Sequence, residues 1–138
     1  MVIVMSSYEN QIVKLLNKEG IFFQREKTFE DLRGGKYRYD FYLQNVQGGP
    51  VIIEIDGEQH FKDIYGRQKQ LIAQENDRRK NSYALANSIP MYRIPYWKMK
   101  EIKTKEDLFK EEFLVRSRWH NDDLWRNYCR SQNRGVYY

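Results

Sequence analysis

The sequence predicts an α/β fold in which a mixed sheet is flanked by helices. Three patterns predict it. Apolar residues recur at helical spacing in 6–19, whereas 36–44 alternates aromatic with polar residues and 51–56 is an apolar run. A second helical stretch at 69–87 then leads into the apolar segment 89–95. Helix, three strands, helix and strand in that order make a sheet with helices packed on it.

Each element has its own local cause. Ser6 or Ser7 caps the first helix, Ile12, Val13, Leu15 and Leu16 form its stripe, and Gly20 stops it. IFFQREKTF at 21–29 is rich in β-formers, and Gly34-Gly35 marks the turn before 36–44. Gly48-Gly49-Pro50 turns the chain into VIIEID at 51–56, a run suited to a buried strand. Leu71, Ile72, Tyr83, Leu85 and Ala86 are the expected inward residues of the helix at 69–87. Pro95 closes the last strand because proline cannot donate to a ladder. A further helix is expected at 105–115, followed by a polar, aromatic tail. The chain thus divides into a core, 1–97, and a basic-aromatic extension, 98–138, packed on the same single domain.

A chain of 138 residues is one domain's worth of material. Its 24 Lys and Arg against 19 Asp and Glu leave a charge of +5. That surplus fits a polyanionic partner or simply a lysine-rich surface. One cysteine, Cys129, excludes an internal disulfide framework and a Cys-based zinc site, and two histidines exclude a His-rich one. No segment reads as membrane-spanning, and the opening MVIVM lacks the basic stretch of a secretory signal. The expected location is cytoplasmic.

The hairpin of 36–44 and 51–56 carries the chemistry. If Gln44 faces Pro50, Tyr42 lies opposite Ile52 and Asp40 opposite Glu54. Alternation then puts Asp40, Glu54 and Asp56 on one face, and Tyr39, Phe41, Leu43, Val51, Ile53 and Ile55 on the other. Opposed Cβ atoms stand about 4.5–5.5 Å apart. Carboxylates that close must share a proton or a cation. Either a hard divalent ion such as Mg²⁺ sits among them, or Lys36, Arg38 or another basic side chain pairs with them. In GEQHF, Gly57 permits a sharp exit that returns Gln59 and His60 toward the acids. His60 could be a general base, an electrostatic stabiliser or a hydrogen-bonded structural residue. In the following helix Asp77 and Lys80 could pair with each other at i,i+3 or face the hairpin.

YRYDFYL, VIIEIDGEQHF, the run Gln74 to Asp77 with Lys80-Asn81, and IPMYRIPYW together resemble the PD-(D/E)XK, or restriction-endonuclease-like, nuclease superfamily. The nearest branch is that of the very-short-patch-repair endonucleases and the related phage homing endonucleases. The resemblance runs from the first helix to Trp97 and implies an αβββαβ core. It implies metal ligation by Asp40, Glu54 and the carbonyl of Ile55, with Glu9 reaching the metal from the first helix. His60 and Asp77 match the histidine and late aspartate of that branch. Asp56 stands where the superfamily has its lysine, so the charge role passes to Lys80 or His60, or Asp56 holds a second metal, or hydrolysis is impaired.

The implied function is a DNA endonuclease dependent on Mg²⁺, with Mn²⁺ as substitute. It would be nicking, homing or structure-selective, and encoded by a phage or mobile element. In it Gln59 would orient a water or phosphate oxygen and Lys80 would stabilise the charged phosphate. Alternatives are a catalytically impaired nucleic-acid-binding module of the same fold, and a protein whose acidic hairpin is only an ion network. DNA contacts are expected from Arg33 and Lys36, from Lys62, Arg67 and Lys69, and from Arg78, Arg116 and Arg118. Trp119 and Trp125 either pack the extension or stack on bases. The enzyme would nick as a monomer or cut both strands as a homodimer.

Overall fold

The computed structural model describes residues 6–132; the MVIVM run and residues 133–138 of the extension lie outside them. Helix α1 (Ser7–Lys18) begins where Ser6 Oγ accepts the Glu9 N–H at 3.1 Å, and it buries Ile12, Leu15 and Leu16. Strands β1 (Phe23–Lys27), β2 (Tyr39–Leu43) and β3 (Val51–Asp56) form an antiparallel meander. Helix α2 (Arg67–Ala86) crosses over to β4 (Met91–Pro95), which pairs parallel with β3. The four-stranded mixed sheet runs β1-β2-β3-β4. Tyr42 lies opposite Ile52, the register expected from the turn.

The two faces of the sheet carry different cores. Against α1 lie Phe41, Leu43, Val51, Ile53 and Ile94. Against α2 lie Tyr39, Ile52, Ala84 and Met91. Tyr39 therefore departs from the expected face. The backbone opposite Asp40 is broken, with Glu26 at φ 56°, and the Asp40 N–H is taken by the Glu54 side chain at 2.7 Å. Alternation fails across that break. Tyr39 turns to α2, where its hydroxyl donates to the Lys80 carbonyl at 2.9 Å.

Two further expectations are corrected. In α2 the apolar Leu71, Ile72 and Leu85 are exposed, Ala86 also lies outside and Tyr83 is half-buried. The inward residues are Gln70, Asp77, Lys80, Asn81 and Ala84. The helix lies over buried Glu54, Asp56 and Arg93, which must be met by polar partners. The expected helix at 105–115 ends as α3 (Lys105–Leu108). The chain then runs beside β4, where Tyr92 bridges Leu114 and the Val115 N–H donates to the Met91 carbonyl at 2.8 Å. The tail is largely helix α4 (His120–Ser131). Among the described residues no helix is long and apolar enough to cross a membrane.

Candidate functional site

The C-terminal end of β3 and the broken end of β2 hold Asp40 and Glu54 by reciprocal contacts. Asp40 donates its N–H to Glu54 Oε1 at 2.7 Å, and Ile55 donates its N–H to Asp40 Oδ2 at 2.9 Å. The N–H and C=O of one strand residue project to the same side, so the Ile55 carbonyl also faces Asp40. Lys80 enters from α2: its Nζ donates to Glu54 Oε2 at 2.9 Å and to the Arg38 carbonyl at 2.6 Å. The hairpin acids take Lys80 and, from β4, Arg93 as basic partners, rather than Lys36 or the Arg38 side chain.

Behind this pair lies a second, fully internal group. Arg93, in β4 directly beside Glu54, has no exposed surface. It donates to Asp56 Oδ1 at 2.7 Å and to Asn81 Oδ1 at 2.6 Å, and stands 3.5 Å from Asp77. His60 Nδ1 lies 2.6 Å from Asp77 Oδ2 and 3.9 Å from Asp56 Oδ1. Asn121 of α4 closes the group through bonds to both aspartates. Asp56 is therefore an internal anchor, held by Arg93 and Asn121. Asp77 and Lys80 face the hairpin, each with its own partner. Asp56, His60 and Asp77 each bring a ligand atom within 4.8 Å of the others and could hold a metal ion, although Arg93 already lies between the two aspartates.

The electrostatics divide the same way. Burial alone would lower His60, but the carboxylates of Asp77 and Asp56 override it and raise the imidazole to about 9. The two carboxylates thus favour the protonated imidazole at neutral pH. Burial would raise Asp77, yet Arg93 and His60 hold it below the usual carboxylate range. Asp56 is raised, by burial first, against the pull of Arg93. Asp40 is raised well above it, by burial and then by Glu54. Four carboxylates thus face three cations (Lys80, Arg93 and protonated His60). The fourth carboxyl, Asp40, has no cation partner of its own among the described residues; burial and Glu54 favour its protonated form, and its Oδ1 accepts no hydrogen bond among them.

The other expected site residues are spread more widely. Glu9 pairs with Arg25, whose guanidinium lies 5.4 Å from the centre of the Phe41 ring. Gln59 is exposed and lines a cavity of about 170 Å³ with Lys62, Lys69 and Gln70. Arg33, Lys36, Arg67 and Lys69 are exposed, and Lys62 lies over the Tyr96 ring at 5.7 Å. Arg78 donates to Asp122 at 2.9 Å, Arg116 reaches Glu111 at 3.3 Å, and Arg118 reaches Glu75 at 3.6 Å. Trp125 packs between Phe61 and Trp97, whereas the half-exposed Trp119 lies beneath the guanidiniums of Arg78 and Arg118. Arg93 and Asn121 were missed from sequence. A charged residue inside the apolar strand MYRIP was a readable sign of the first; nothing local marks the second.

No family model matches the chain, and neither a curated protein nor a solved structure matches it significantly.

Proposed function

We propose that this protein is a metal-dependent endonuclease with a restriction-endonuclease-like core, hydrolysing DNA phosphodiesters at Asp40 and Glu54. The observation that carries the reading is the clamp: Asp40 donates its N–H to Glu54, Ile55 donates its N–H to Asp40, and Lys80 joins Glu54, so two strands hold the two carboxyl groups together beside one ammonium. The donor set fits a hard dication such as Mg²⁺, since Asp40 Oδ1, the facing Ile55 carbonyl and Glu54 are all oxygen ligands. When bound, such an ion activates a water and neutralises the scissile phosphate.

The chain's own groups do the rest. Lys80 sits on Glu54 and supplies positive charge beside the phosphate. His60, its Nδ1 engaged by Asp77, presents Nε2 as the donor toward a phosphate or leaving oxygen. Exposed Arg33, Lys36, Arg67 and Lys69 border the acids in sequence and supply sequence-independent phosphate contacts. In this reading Asp40 of β2, Glu54 of β3 and Lys80 of α2 would supply the carboxylates and the cation, and His60, in the turn Glu58–His60 that follows β3, would supply the donor.

One observation favours a second reading, a catalytically impaired DNA-binding module: Lys80 and Arg93 already neutralise Glu54. Supercoiled plasmid incubated with Mg²⁺ or with EDTA separates the two. Nicking that requires the metal and is abolished by Asp40→Asn and by Glu54→Gln supports the nuclease. DNA retention without cleavage, unaffected by either substitution, overturns it in favour of the binder.

A further inference from the structure

Helix α4 belongs to the extension, outside the part of the chain that resembles a nuclease, yet it reaches the centre of the site. Asn121, in its first turn, is 5% exposed. Its Nδ2 donates to Asp56 Oδ2 at 2.9 Å and to Asp77 Oδ2 at 3.1 Å. The second of these oxygens is the one that holds His60 Nδ1. A primary amide has two hydrogens on one nitrogen, so it can bind one carboxylate from β3 and one from α2 together. Its Oδ1, by contrast, is buried without a partner among the described residues. A side chain that keeps an unsatisfied acceptor inside the protein is held there for its donors.

The start of α4 is fastened on both sides of that contact. Arg78 of α2 donates to Asp122 at 2.9 Å, and Asn81 donates to the Arg118 carbonyl at 3.1 Å. Asn81 also takes Arg93 Nε at 2.6 Å, which ties the same helix entry to the buried guanidinium. Asn121 is therefore presented by a fixed backbone, and its two bonds bridge Asp56 and Asp77 alongside Arg93.

We propose that Asn121 is a positioning residue, through which the C-terminal extension orients the His60–Asp77 pair for the reaction. This rests on the nuclease reading above. The extension is then a structural component of the active centre as well as a basic surface. Removing an outer partner that orients a functional side chain typically lowers activity about 10–100-fold.

The test uses the full chain labelled with ¹⁵N-histidine, which gives only two imidazoles, His60 and His120. Asn121→Ala should shift or broaden the His60 Nδ1–H resonance and lower kcat for Mg²⁺-dependent plasmid nicking about 10–100-fold, with KM little changed. Asn121→Ser, which retains one donor, should recover part of both. If Asn121→Ala is folded by circular dichroism yet keeps full kcat and an unmoved resonance, the proposal is overturned. If Asn121→Ala does not fold, Asn121→Ser decides: wild-type values in both measurements overturn the proposal, and displaced values support it. A wild-type protein that never nicks, but whose His60 resonance moves in Asn121→Ala, overturns the nuclease reading and leaves the positioning role standing.

Discussion

Rising pH should destabilise this protein through His60. Its imidazole is raised from 6.5 to about 9 by Asp77 and Asp56, against the effect of burial. Below pH 6.5 both folded and unfolded chains carry the proton, and the full contribution is present. Between 6.5 and 9 the unfolded chain releases the proton while the folded chain keeps it, so stability falls with rising pH until the folded group titrates. Each tenfold change in proton affinity is worth about 1.4 kcal/mol, which makes the whole loss about 3 kcal/mol. Urea denaturation followed by tryptophan fluorescence at pH values on either side of this window measures it. Asp77→Asn removes the nearest carboxylate and should flatten the slope. Assignment by NMR is simple, because His120 is driven the other way, first by burial, to about 4. A His60 resonance titrating near 6.5, or a stability flat across the window, would refute the reasoning.

The remaining expectations concern the two halves of the cluster. Asp40→Asn imitates the protonated carboxyl that burial and Glu54 favour, so in metal-free buffer its melting temperature should match or exceed the wild type. If the proposed site takes a dication, Mg²⁺ or Mn²⁺ should raise the wild-type melting temperature by binding only the folded state, and the same change should erase that rise; scanning fluorimetry reads both. Arg93→Met fills the same space without the charge and leaves Asp56, Glu54 and Asp77 without their common cation. It should cost about 3–5 kcal/mol in urea denaturation, as breaking a buried pair does. Adding Asp56→Asn should recover part of that loss, and a strictly additive double mutant would show that the two side chains are uncoupled.

The sheet was legible because its signals are local. Val51–Asp56 is both the apolar run and the strand, and the turn at Gly48–Pro50 set the register that places Tyr42 opposite Ile52. From that register followed the proximity of Asp40 to Glu54. The errors arose where tertiary demands outweigh local pattern. Periodicity assigned Leu71, Ile72 and Leu85 to the core, yet these face outward because three charged residues of the sheet require a polar surface above them. Tyr39 changed sides because the Glu54 carboxylate took the Asp40 N–H, a contact no strand pattern contains. Asn121 lies 65 residues from Asp56, and only the docking of α4 joins them.

These departures share one origin. A half-buried sheet normally gives its helix an apolar face, but here β3 and β4 present Glu54, Asp56 and Arg93 to α2. The helix answers with Asp77, Lys80 and Asn81, and α4 adds Asn121. Within the inner group Arg93 and His60 balance Asp56 and Asp77, so that part orders the site without needing an added ion. Lys80 balances only one of Asp40 and Glu54. The imbalance stands at the broken end of β2, where the strand partner has been exchanged for a carboxylate and Asp40 is half-buried. Within this cluster Asp40 is the carboxyl group that has no cation partner among the described residues, and that asymmetry is what the proposed dication site would use.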